Sequence, residues 1–181
     1  IATGAFAEAA EVLEAAAHQC PDRPAPWANL GIARKEMGQL DAAIASHERA
    51  VALDPGSAAL HWNLGVACLQ AGDFARGWRE YDWRWSGAPG GGALGGLPLW
   101  RGEPLSDATL LIHQELGIGD VIQMARFVPG ARRLTGPAAR IVLWTDPDLV
   151  DLMAATGWFD AVIGKDASRP AADAHLPSMS L

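Results

Sequence analysis

The run Gly117-Ile118-Gly119-Asp120 sets two glycines and a carboxylate directly after a β-prone apolar stretch, Thr109-Leu110-Leu111-Ile112, and directly before a new apolar run. Glycine lacks a Cβ, so backbone there can come close to a ligand. A helix that begins at such a loop turns unpaired N–H groups outward, which suits a phosphate or a developing negative charge. An aspartate at the helix start has two uses. It can cap the helix, worth about 1 kcal/mol, or it can stand as a reactive group where the helix start gathers its free N–H groups. Strand, glycine loop and helix start is also how nucleotide- and sugar-phosphate-binding α/β domains open.

Further polar residues surround this run: His113 and Glu115 at the strand end, Gln123 one turn into the helix, and His175 within Asp173-Ala-His-Leu-Pro177. His113, Glu115, Gly117, Gly119, Gln123 and His175 are therefore candidate substrate- or phosphate-binding residues around Asp120. His113, Glu115, Asp120 and His175 are also metal-ligand types, and a two-residue spacing puts the first pair on one side of an extended strand. Strand-end histidines are more often hydrogen-bonded structure, and no metal is expected. Dinucleotide binding is a second alternative, since Asp146 ends the next strand. The third position of that fingerprint is Ile122, where glycine or alanine should let helix and strand pack closely, which argues against it.

The elements that must position these residues alternate. A strand over 109–113 feeds a helix from Gly119 to about Leu134, with Pro129 a breaking point. Strand 140–145 follows, then a helix over about 148–156 with Asp146 capping and Pro147 in its first turn, and a short strand at 161–163. This β-α-β-α-β order predicts a partial Rossmann-like parallel sheet with right-handed crossovers over 109–181. Residues 173–181 read as a tail without a closing element. Strand 109–113 would then keep an unpaired apolar edge, open to self-association.

Upstream the chain repeats. Trp27-Ala-Asn-Leu-Gly31 aligns with His61-Trp-Asn-Leu-Gly65 at an offset of 34 residues, which also pairs Gly38 with Gly72 and Pro55 with Pro21. This W…LG…A…A…P spacing is the tetratricopeptide (TPR) signature. It predicts helices near 5–18, 24–37, 40–53, 58–71 and 74–86, about 2.5 repeats over 1–86. The first repeat lacks its first helix and residue 1 is not methionine, so a fragment of a longer protein is expected. Asn29 and Asn63 share one repeat position on the first helix of each pair, which lines the concave face, and the resemblance to TPR proteins implies that asparagines there grip a bound peptide's backbone. Their alternative role is local hydrogen bonding. Phe74, Trp78, Tyr81 and Trp85 form one helix face, read as a packing face toward the next domain.

Between the halves, 87–108 is a glycine- and proline-rich linker and lead-in, with Trp100 as an anchor. The formal charge of −7 and pI near 5.1 give no sequence-wide basic field for nucleic acid. Cys20 and Cys68 lie far apart with no ligand spacing and read as small buried hydrophobes. No apolar run approaches membrane-spanning length, and a cytoplasmic location is expected.

YDWRW at 81–85, LWRGEPL at 99–105, LLIHQELGIGDVIQMARF at 110–127 and DAHLPSMSL at 173–181 resemble bacterial TPR proteins with a glycosyltransferase-like C-terminal region. These in turn look like the ADP-heptose:lipopolysaccharide heptosyltransferases. The resemblance implies a TPR array followed by the N-terminal half of a GT-B fold. It implies sugar transfer from a nucleotide-sugar to a hydroxyl acceptor, no metal or other cofactor, and Asp120 as catalytic base. It also implies that the TPR groove, through Asn29 and Asn63, grips a protein partner or acceptor. Related sequences commonly carry glutamine where this chain has Leu116, and the second GT-B half is absent, so the chain alone is expected to be inactive. The competing reading is a TPR interaction scaffold whose α/β domain has no chemistry.

Overall fold

The computed structural model describes residues 2–85, 94 and 96–181, in two compact units, 1–92 and 93–181. The glycine-rich stretch expected to be the linker lies mostly outside the described residues.

The first unit is a stack of antiparallel helices: α1 (Ala2–Gln19), α2 (Pro24–Glu36), α3 (Leu40–Leu53), α4 (Ala58–Ala71) and α5 (Phe74–Tyr81). The expected boundaries hold for α2, α3 and α4 within a residue. Helix α1 begins earlier, and α5 ends at Tyr81, where Asp82–Trp85 tighten into a 3-10 turn. Close approach at small residues sets the stacking. A Cβ on Gly31 would lie 2.5 Å from the His47 ring, and one on Gly65 would lie 2.6 Å from the Tyr81 amide nitrogen. Gly31 and Gly65 are one repeat apart, as are His47 and Tyr81, so the close approach recurs, onto a ring at the first glycine and onto helix backbone at the second. Gly38 and Gly72, both with positive φ, turn the chain between helices.

The aromatic helix face packs partly within this unit. Tyr81 is buried against Gly65, and the Trp78 ring meets it edge-on at 5.7 Å. Trp83 stacks flat on His61 at 3.8 Å, whose ring nitrogens lie 2.6 Å from Glu80 Oε2 and 3.0 Å from the Pro55 carbonyl. Phe74 is exposed, so the stripe is not one continuous buried face.

The second unit is an α/β layer. Its strands are β1 (Thr109–His113), β2 (Arg140–Thr145), β3 (Ala161–Gly164) and β4 (Ala174–Pro177), all parallel in the order β3-β2-β1-β4. The helices α6 (Ile118–Ala125), α7 (Val128–Thr135) and α8 (Val150–Ala155) connect the first three strands. Leu110, Ile112, Ile141, Leu143, Ala174 and Leu176 pack on Val121, Ala125, Val128 and Met153. The alternate residues Leu111, His113, Val142 and His175 are buried as well, as expected for strands of a parallel sheet.

Three expectations change. Helix α6 ends at Ala125, and Pro129 lies in the first turn of α7, where its missing N–H costs nothing, so the break precedes the proline. The presumed tail supplies β4, which pairs with β1 along Leu110–His113. Strand β1 is therefore central, with β2 on its other side, and the open apolar edge expected there does not exist. The outer edge of β4 is covered too: Trp100 N–H donates to the His175 carbonyl at 2.8 Å, and His175 N–H donates to the Pro98 carbonyl at 2.9 Å. The lead-in thus belongs to this sheet, and Trp100 joins its core.

Candidate functional site

In a 3-2-1-4 sheet the chain leaves β1 in one direction for β2 and β3 and returns on the opposite side as β4. A crevice opens at such a switch point, beyond the C-terminal ends of the strands. The residues predicted around Asp120 converge on this edge.

His113 is the last residue of β1, and His175 sits on the neighbouring strand with its side chain on the same face. The two were 62 positions apart in sequence, yet His113 Nε2 lies 3.2 Å from His175 Nδ1. One of these nitrogens must donate and the other accept. Burial pushes the His175 imidazole below its ordinary range, and Arg169 pushes the same way, so a neutral ring at this position fits the contact. Both rings are buried. They are part of the packed interior rather than an open ligand surface.

The loop after β1 is held from three sides, and Gln114 does most of the holding. Its Oε1 accepts from Thr145 Oγ1 at 3.0 Å and from Asp146 N–H at 2.7 Å, while its Nε2 donates to the Leu116 carbonyl at 3.0 Å. Lys165 Nζ donates to the Gln114 carbonyl at 2.9 Å. Next along, Glu115 N–H points at Ser178 Oγ at 3.4 Å. The loop is thereby tied to the ends of β2, β3 and β4. Gln114, Lys165 and Ser178 were not singled out from the sequence. The available signal was positional: Gln114 is the first residue past a buried strand, with an amide that can both donate and accept.

Gly117 stands before the first turn of α6, and Asp120 is the third residue of the helix. Asp120 Oδ2 accepts the Gly117 N–H at 3.0 Å, half of a reciprocal cap. Its Oδ1 makes no hydrogen bond among the described residues, and the side chain is half-buried. Gly119 faces open space, with nothing within 4 Å of where a Cβ would stand. Gln123, one turn beyond Asp120, is exposed on the same side of the helix. Leu116, Ile118 and Ile122 are exposed around it. Among the described residues no group of three or more His, Cys, Asp or Glu side chains is gathered as a metal site.

In the helical unit, Asn29 is exposed on α2 and lines a cavity of about 400 Å³ with Leu13, Gln19, Cys20 and Arg23; Cys68 is buried as expected, whereas Cys20, just past the end of α1, is exposed. Asn63, its equivalent on α4, is half-buried beside the exposed Trp62.

Fold and site together define a class: a TPR-type helical array and a Rossmann-like parallel unit with a glycine loop at its switch point. Residues 33–72 match the family model of the TPR repeat. Protein FlbA of Caulobacter vibrioides is 29% identical over 142 residues, covering 75% of this chain and 24% of FlbA. The chain thus spans about a quarter of the length of that relative. Among solved structures, a mutant O-GlcNAc transferase of Thermobaculum terrenum aligns with a TM-score of 0.45 and 18% identity, over 89% of this chain and 38% of that one. No helix among the described residues is long and apolar enough to cross a membrane.

Proposed function

We propose that the α/β unit is the acceptor-side half of a sugar-transfer site, in the manner of the first half of a GT-B glycosyltransferase. The observation that carries this is the Asp120 carboxylate. One oxygen is fixed by Gly117 N–H and the other makes no hydrogen bond among the described residues, beside the C-terminal end of β1 where the strand order reverses. Asp120 Oδ1 takes the proton of an acceptor hydroxyl as that oxygen bonds to the anomeric carbon of a nucleotide-sugar, and the bond from that carbon to the nucleoside diphosphate breaks. The N–H groups at the start of α6 face the charge that develops. The donor's nucleotide side is assigned to sequence outside this chain, and the TPR groove, through Asn29 and Asn63, to a protein partner or acceptor.

Asp120→Asn in the intact protein tests this directly. Transfer from an activated sugar should fall by about 10²–10⁴-fold, the usual contribution of a general base. Undiminished transfer or biological activity overturns the base assignment and favours the second reading, an interaction scaffold. That reading draws on the helical array, whose exposed Asn29 and Trp62 suit partner binding without chemistry.

A further inference from the structure

A second cavity, of about 670 Å³, opens at the other end of the sheet, where the chain enters β2 and β3. Its floor is polar and already satisfied. Arg132 pairs with Asp160 at 2.6 Å and donates to the Ala139 carbonyl at 2.6 Å, and the same Asp160 oxygen accepts Ile141 N–H. Burial pushes the Asp160 carboxyl up, but the Ile141 N–H, Arg132 and Arg140 outweigh it and hold the group below the usual carboxylate range. Asp160 therefore stays ionised and cancels one arginine.

Two features of the cavity are not used by the fold. Trp158 lines it and remains 37% exposed, a large aromatic surface left toward solvent beside Pro129 and Pro137. Arg133, also lining it, is exposed and makes no hydrogen bond or ion pair among the described residues. The charge balance is unusual for this chain. The protein as a whole carries −7, yet here Arg132, Arg133 and Arg140 meet one aspartate. Arginines in the last turn of α7 complement the helix dipole. That accounts for the cations but not for an uncovered indole and two prolines facing the same space.

We propose that this cavity binds a small aromatic anion: a planar ring carrying a phosphate or carboxylate, the ring against Trp158 and the prolines, the anionic group on Arg133. The volume falls in the range of small-molecule sites, which combine apolar walls with a few placed polar groups. Arginine presents a flat fork that matches either anion, and an indole face stacks on a ring. The site is separate from the β1/β4 crevice and does not depend on the role of Asp120.

The test is an NMR titration of the 181-residue chain that follows the indole N–H of Trp158, assigned through Trp158→Phe. Phenyl phosphate and benzoate are the probes, with phenol and inorganic phosphate as the separated halves. A saturable shift at Trp158 with phenyl phosphate or benzoate is expected. Each half should bind at least about tenfold more weakly than the parent anion, and Arg133→Gln should weaken binding by about tenfold or more. Arg133 is exposed, and an unchanged thermal melt of the variant verifies its fold. Three results would overturn the proposal: no saturable shift with either anion up to about 10 mM, phenol matching phenyl phosphate, or Arg133→Gln binding as well as the parent chain. Whichever anion binds more tightly identifies the preferred head group.

Discussion

The Cα of Gly65 faces the backbone of Tyr81 so closely that an added methyl would stand 2.6 Å from the Tyr81 nitrogen and 2.9 Å from its Cα. At the equivalent place one repeat earlier, the three atoms nearest to a methyl on Gly31 all belong to the ring of His47. A ring can tilt, whereas a helix backbone must move as a whole. Gly65→Ala is therefore expected to destabilise the array more than Gly31→Ala. Overpacking of about 1–3 kcal/mol is the scale, with Gly65→Ala at or above its upper end. Urea melts of the two variants compare them directly, and equal losses would show that the helices adjust freely.

His47 itself carries a pH dependence. It is fully buried, neither ring nitrogen has a hydrogen-bond partner, and burial, with Lys35 adding to it, pushes its pKa from 6.5 to about 4. Above pH 6.5 the ring is neutral whether the chain is folded or not. As the pH falls further, the unfolded chain takes a proton that the folded one refuses, so stability is lost until the folded ring titrates near 4. Between pH 7 and 5 the array should lose about 2 kcal/mol through this residue. His47→Phe should remove that part of the slope; a slope identical to the parent's would exclude His47 as its source.

Gln114 links three segments through one amide. Gln114→Leu strands the Thr145 hydroxyl and the Asp146 N–H, at about 1 kcal/mol or more for each group left without a partner, while the exposed Leu116 carbonyl turns to water. Gln114→Glu keeps both acceptor contacts and loses only the donation to Leu116. Hydrogen exchange should then show Asp146 N–H protected in the Glu variant and exposed in the Leu variant. Gly117 N–H should exchange faster in both if Gln114 holds the glycine loop, and unchanged Gly117 exchange would remove that role.

The sheet's true start can be tested by truncation. Trp100 is in the core, and residues 98–100 hydrogen-bond to β4. A chain of residues 97–181 should unfold cooperatively with a melting point well above that of 109–181. Loss of a core tryptophan alone costs about 3–5 kcal/mol. Equal melting points would mean that the lead-in adds nothing to the sheet.

Much of this architecture was legible because its signals are local. The 34-residue period placed α2, α3 and α4 within a residue, and the apolar runs at 109–113, 140–145 and 161–163 marked three strands. What escaped depends on distant pairing. Ala174–Pro177 is four residues long and contains a histidine and a proline, so nothing in its composition separates it from a tail; it is a strand because β1 has a free side. Leu99 and Trp100 sit among glycines and prolines for the same reason. The approach of His113 to His175 follows from that pairing and could not precede it. Asp120 was placed at its helix start by the loop alone, whereas the amide that anchors the loop acts on residues 31 and 32 positions away.

Strand β4 lies between β1 and the 98–100 segment, although it is the last strand of the unit to be made. During synthesis, β1, β2 and β3 can pair as soon as residue 164 has emerged, but the groove between β1 and the lead-in stays empty until residues 174–177 arrive. A chain that stops short of residue 174 therefore leaves one side of β1 without its strand, an apolar edge open to pairing.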